Sequence, residues 1–170
     1  MINLAMRFAR ICHAGQKRKY TGEDYIEHPI AVMELLRKYA PEATEEMQCA
    51  ALLHDVVEDT AATHDDIHHF FGGKVQLYVY YLTDKSRPSD GNRATRKKID
   101  RDHIAEGPRQ SQIIKLCDLI DNSRSIVDRD PDFAKVYMAE KRLVLDAIKM
   151  EHRLWHMADD IVREYERGVK

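Results

Sequence analysis

The sequence predicts an all-α domain, and three observations carry that prediction. Apolar residues recur at helical spacing through most of the chain, from Leu4, Phe8 and Ile11 near the start to Leu154 and Ile161 near the end. Breakers fall where helices should start or stop, at Pro29, Pro41, Gly72-Gly73 and Asp130-Pro131. Only "KVQLYVYYLT" (74–83) has the β-branched and aromatic content of a strand, and the segments on both sides of it read as helices.

Taken in order, residues 2–13 form a helix that carries Leu4, Phe8 and Ile11 on one apolar stripe, and "HAGQKRKYTGEDY" (13–25) breaks it. His28-Pro29 opens the helix "IAVMELLRKYA", because a proline in the first turn has no N–H to leave unpaired. Pro41 closes that helix, and one continuous helix rich in Ala, Leu and Val is expected over 43–58. "THDDIHHFFGG" (63–73) is a short helix in which Thr63 faces Asp66 as an acidic variant of the capping box, and Gly72-Gly73 stops it. The ambiguous 74–83 is assigned to helix. "KSRPSDGN" (85–92) is a loop, 93–105 a polar helix, and "EGPRQ" (106–110) a turn. A mostly apolar helix over 109–128 and two final helices over 132–149 and 150–168 complete the chain. With no repeat, low-complexity segment or linker, residues 1–170 read as a single domain.

Composition narrows the function classes. Apolar residues make up 44% and charged residues 33%, with a formal net charge of −2, which indicates neither a nucleic-acid partner nor a membrane surface. No apolar run approaches the ~18 residues that span a bilayer. The N-terminal stretch "MINLAMRFARICHAG" lacks the uninterrupted apolar centre of a signal peptide, so a cytoplasmic location is expected. Cys12, Cys49 and Cys117, odd in number and without a C-x-x-C, read as buried reduced thiols. Charge is nevertheless uneven. "KRKY" (17–20) and "RATRKK" (93–98) are basic and "HDVVEDTAATHDD" (54–66) is acidic. Each cluster alone is a solvated face; together they suit a phosphorylated ligand bridged by a cation.

The sharpest anomaly is "LLHDVVED" (52–59). On a continuous helix His54 lies over Glu58 and Asp55 over Asp59, since residues four apart share a face. Leu52, Leu53, Val56 and Val57 occupy the other faces, so the polar groups are drawn into apolar surroundings. Burying them is costly unless something satisfies them, and a divalent cation does so economically. The plainer alternative is an exposed edge of an amphipathic helix. Asp118 repeats the pattern inside "IIKLCDLIDN" (113–122), where a buried hydrogen-bonding acid is the alternative, and a lone His28 before a proline would ordinarily be structural. The i,i+4 pairs His64/His68 and His152/His156 lack the intervening acid of a zinc-peptidase motif and read as incidental. Gly72-Gly73-Lys74 lacks phosphate-loop spacing, the tyrosines at 78–81 read as packing, and Trp155 as core or a partner surface.

In order and residue type, His28, His54-Asp55 and Asp118 resemble the ligand set of the HD-domain metal-dependent phosphohydrolases. "HAGQKRKYTGEDYIEHPIAV" (13–32), "AALLHDVVEDT" (50–60) and "IIKLCDLIDN" are similar to three signature blocks of one branch, the (p)ppGpp hydrolases, and the likeness spans most of residues 10–145. The resemblance implies an HD-type helical bundle. It implies that His28, His54, Asp55 and Asp118 hold Mn²⁺, and that Glu58 and Asp59 position and deprotonate the attacking water. It further implies that Arg18, Lys19, Asn122 and Tyr137 contact substrate, with Lys85, Arg96 and Lys97 as phosphate-binding cations. The implied reaction removes the 3′-pyrophosphate of ppGpp or pppGpp, a small nucleotide. The alternatives are a related HD phosphohydrolase acting on ppApp, the 2′-phosphate of NADPH or (deoxy)nucleotides, and a non-catalytic nucleotide-binding partner. The chain departs from the usual "KLADRLHN" or "KLADKLYN" at Leu119 and Asp121, which bears on substrate preference. Oligomeric state is left open by the sequence.

Overall fold

Helical spacing becomes helices in the order α1 (Ile2–Cys12), α2 (Glu27–Tyr39), α3 (Glu45–Leu53), α4 (Val56–Asp59), α5 (His64–Phe71), α6 (Gly73–Leu82), α7 (Arg93–Glu106), α8 (Arg109–Arg129), α9 (Pro131–Ala147) and α10 (Arg153–Gly168), with a 3-10 turn at Pro88–Asp90. The computed structural model describes residues 1–168. The fold is all-α, as the sequence predicts. None of its helices is long and apolar enough to cross a membrane, among the described residues.

Two helices are buried on nearly every face and form the centre. α3 buries Met47, Cys49, Ala50, Ala51, Leu52 and Leu53; α8 buries Ile113, Ile114, Leu116, Cys117, Leu119 and Ile120. α2 packs across both, and this crossing is what later brings three distant polar segments together. The ambiguous 74–83 forms α6, whose buried Val75, Tyr78, Val79 and Leu82 follow the i, i+3, i+4, i+7 spacing of a helix face. The predicted capping box of α5 is present: Thr63 Oγ1 accepts the Asp66 N–H, and Asp66 accepts the Thr63 N–H at 2.8 Å.

Three expectations are corrected. The buried face of α1 is Ala5 and Ala9, while Leu4 and Ile11 are 39% and 76% exposed. Small residues one turn apart let α1 approach α3 closely, and the larger side chains remain at the rim. The helix expected over 43–58 is interrupted at His54-Asp55, where Asp55 takes φ −97° and ψ −7°. Two side-chain bonds hold the interruption: His54 Nδ1–H donates to the Ala51 carbonyl at 2.8 Å, and Asp55 accepts the Tyr25 hydroxyl at 2.7 Å. The helix expected over 132–149 ends at Ala147, and the last helix starts at Arg153 rather than 150.

Candidate metal centre and adjoining cavity

His28 enters the site from the first turn of α2, with Pro29 behind it, and His54 and Asp55 enter from the break between α3 and α4. Asp118 comes from the middle of α8. One ligand atom from each of His28, His54 and Asp55 lies within 4.8 Å of the others. Asp118 Oδ1 flanks both imidazoles, 3.2 Å from His28 Nε2 and 3.9 Å from His54 Nε2. Asp55 Oδ2 is 3.6 Å and 3.0 Å from the same two nitrogens.

Tautomers follow from the partners. A carbonyl only accepts, so His54 carries its proton on Nδ1, and its Nε2 is a buried atom with no hydrogen-bond partner. His28 Nδ1–H donates to Asp121 Oδ2 at 2.7 Å, which likewise turns its Nε2 toward Asp55 and Asp118. Burial opposes charge on His28, but Asp118, Asp121 and Asp55 outweigh it and raise the imidazole to about 9. His54 is raised in the same way against burial, chiefly by Asp55. Burial favours the neutral acids, yet His54 and His28 hold Asp55 below the usual carboxylate range, and Lys115 with the imidazoles does so for Asp118. The cluster therefore demands positive charge at its centre. Two imidazole nitrogens and two carboxylate oxygens, one nitrogen orphaned, fit a divalent cation.

Around these four side chains the structure adds residues that the sequence reading did not single out. Tyr25 donates to Asp55, and burial together with that carboxylate pushes its phenol far up, so the hydroxyl stays protonated. Lys115 Nζ lies 2.8 Å from Asp118 Oδ2; burial opposes its charge, but Asp118 and Asp84 hold it protonated. Its i,i+3 spacing from Asp118 was the available signal. Glu58 Oε2 accepts the Asp84 N–H at 3.0 Å. Burial of the carboxyl and the neighbouring Asp84 and Asp55 push Glu58 up to about 7, in the range suited to a general base near neutrality. Asp59 is raised too, by burial and by Asp55.

A cavity of about 620 Å³ opens beside Asp118, with Lys115, Lys97 and Arg101 on one wall and Phe133 and Tyr137 on another. Lys97 is the one predicted phosphate-binding cation that lines it; Nζ is 2.8 Å from Asp84. Arg96 does not line it, because the cavity-facing cations of α7 are Arg93, Lys97 and Arg101 at i, i+4 spacing, and neither does Lys85, in the loop before α7. Tyr137 faces the cavity and donates through its hydroxyl to the Leu119 carbonyl at 3.4 Å. Asn122 lines it as well, donating to Asp118 Oδ1 at 2.6 Å and accepting from Arg18 at 3.1 Å. Lys19 is exposed beside Tyr20 and Phe133. Lys141, unremarked in the sequence, also lines the cavity: its Nζ donates to Ser123 Oγ at 2.6 Å, and burial pushes it down to about 7.

The HD domain family matches residues 5–143. The guanosine-3′,5′-bis(diphosphate) 3′-pyrophosphohydrolase MESH1 of Drosophila melanogaster is 34% identical over 127 residues, covering 74% of this chain and 69% of that protein. The bifunctional (p)ppGpp synthase/hydrolase SpoT of Escherichia coli K12 is 37% identical over 128 residues, covering 73% of this chain and 18% of that protein. A solved structure described as a metazoan ortholog of SpoT that hydrolyses ppGpp superposes with a TM-score of 0.86 at 29% identity, covering 99% of this chain and 96% of that one.

Proposed function

The chain belongs to the HD-domain family, among the (p)ppGpp hydrolases, and from that premise we propose that it removes the 3′-pyrophosphate of ppGpp or pppGpp, with Mn²⁺ as its cation. The products are GDP or GTP and pyrophosphate. The observation that most supports this reading is the convergence of His28, His54, Asp55 and Asp118 around the unpartnered His54 Nε2.

The four side chains would hold the cation, which would supply Lewis-acid polarisation and charge neutralisation when bound. Glu58, ionised above about 7 and hydrogen-bonded to Asp84, takes the proton of the attacking water. Asp59 stands one residue on and helps to orient that water. The new P–O bond forms as the bond from phosphorus to the ribose 3′ oxygen breaks, and the leaving oxygen regains a proton. Lys115, Lys97 and Arg101 offset the charge of the departing pyrophosphate from the cavity wall. Arg18 and Asn122 steady the ribose-phosphate, and Tyr137 with Phe133 supplies aromatic surface for the base. The substrate is a free nucleotide, and a cytoplasmic enzyme suits it.

A product assay tests the reading. Purified protein with Mn²⁺ is offered ppGpp, pppGpp, ppApp, NADPH and dNTPs in parallel, and the ppGpp arm is repeated with Mg²⁺ and Zn²⁺. Pyrophosphate release from the guanosine alarmones, fastest with Mn²⁺, is expected. An assay in which no alarmone yields pyrophosphate under any cation would sink the proposal.

A further inference from the structure

Asp121 is one of the two positions, with Leu119, where the chain departs from the usual (p)ppGpp-hydrolase pattern, and its surroundings give the departure a role. Its Oδ2 receives two donors at once: His28 Nδ1–H at 2.7 Å and an Arg18 guanidinium N–H at 2.6 Å. Arg18 also donates to Asn122 Oδ1 at 3.1 Å and Ser125 Oγ at 3.3 Å, and Asn122 donates onward to the ligand Asp118. One carboxylate thereby ties the loop after α1 to the start of α2 and the centre of α8. The Arg18 and Asp121 side chains are only 12% and 15% exposed, so the pair escapes the screening that makes surface ion pairs weak.

We propose that Asp121 is a positioning residue for both halves of the site, orienting His28 toward the cation and holding Arg18 against Asn122, which lines the cavity. The inference rests on the cation-site reading above. A carboxylate behind a ligating histidine fixes the ring and strengthens the opposite nitrogen as a donor atom. The same oxygen, being anionic, also accepts from the guanidinium; the histidine of the usual pattern has a single acceptor nitrogen, and neither it nor the tyrosine of the other variant brings the negative charge that pairs with a guanidinium. Three of the five guanidinium N–H groups are engaged by Asp121, Asn122 and Ser125, which leaves two to meet a phosphate oxygen. Arg18 is thus held in place before substrate arrives.

Two variants separate this role from that of a plain structural clasp. Asp121→Leu removes both interactions; Asp121→Asn keeps an acceptor for His28 and removes the charge facing Arg18. Mn²⁺ affinity is measured by titration without nucleotide, and KM and kcat for ppGpp at saturating Mn²⁺. Asp121→Leu is expected to weaken Mn²⁺ binding roughly 10–100-fold and to raise KM. Asp121→Asn is expected to raise KM while Mn²⁺ affinity stays near wild type and kcat changes little. Arg18→Ala should reproduce the KM effect without the metal effect, and this arm stands even if Asp121→Leu fails to fold. Wild-type Mn²⁺ affinity in folded Asp121→Leu, or wild-type KM in Asp121→Asn, overturns the proposal. If wild-type protein hydrolyses no alarmone, the function above falls, while the Mn²⁺ titrations still decide the Asp121–His28 link.

Discussion

His54 carries the clearest residue-level signature of a cation site. Its Nδ1–H is occupied by the Ala51 carbonyl, and its Nε2 is buried, unpartnered and 3.0 Å from a carboxylate oxygen of Asp55. Glu58 is the residue whose chemistry depends most on its setting, since burial and two neighbouring acids lift it to about 7. A base works in its deprotonated form, so kcat/KM should fall about tenfold per unit as pH drops below its pKa. Positive charge from the bound cation places that acid limb at or below about 7. Glu58→Gln should lower kcat by roughly 10²–10⁴-fold and abolish the limb while Mn²⁺ content is unchanged; a retained limb would assign the base elsewhere. His54 and Asp55 stood out in the sequence because they interrupt an apolar run. Lys115 did not, because a charged residue on a helix looks the same whether it faces solvent or a ligand, and Asp121 showed only as a departure from the family pattern, without its partners.

At the scale of elements, the break between α3 and α4 and the loop before α7 shape the site. A continuous helix would stack Asp55 under Asp59; the interruption instead turns Asp55 toward His28, and the Tyr25 hydroxyl holds it there. Helical periodicity cannot report such a break, because Ala and Leu before it and Val after it keep good helical spacing. The loop is anchored by Asp100, buried in α7, which accepts the N–H groups of Lys85 and Ser86 at 3.0 and 2.8 Å and the Ser86 hydroxyl at 2.9 Å. Removing this acceptor leaves part-buried donors unpaired. Asp100→Ala should therefore cost about 2 kcal/mol in urea unfolding, and it should raise KM more than it lowers kcat, because Asp84 and Lys97 belong to the same wall. An unchanged midpoint and KM would show that the loop holds itself.

For the whole molecule, a cation held by this cluster would be a ligand of the folded state alone, since three separate segments must converge to hold it. Mn²⁺ at 100 times its dissociation constant should stabilise the protein by about 2.7 kcal/mol, read as a rise in Tm that a chelator reverses. Asp55→Ala should show neither response; a Tm that still rises with Mn²⁺ would place the binding elsewhere. The all-α class, most helix boundaries, the α5 cap and the residue types of the site were legible in the chain, because periodicity, breakers and polar intrusions into apolar runs are local properties. The buried face of α1 was not, since Ala5 and Ala9 are chosen by how closely α3 approaches. Nor were the Asp121–Arg18–His28 link and the cavity wall of Arg93, Lys97 and Arg101. The sequence by itself determined which side chains are available to bind a cation and where along the chain they lie. Only the tertiary structure decided which of them meet, because residues about 30 and 90 positions apart become neighbours through the crossing of α2 over α3 and α8.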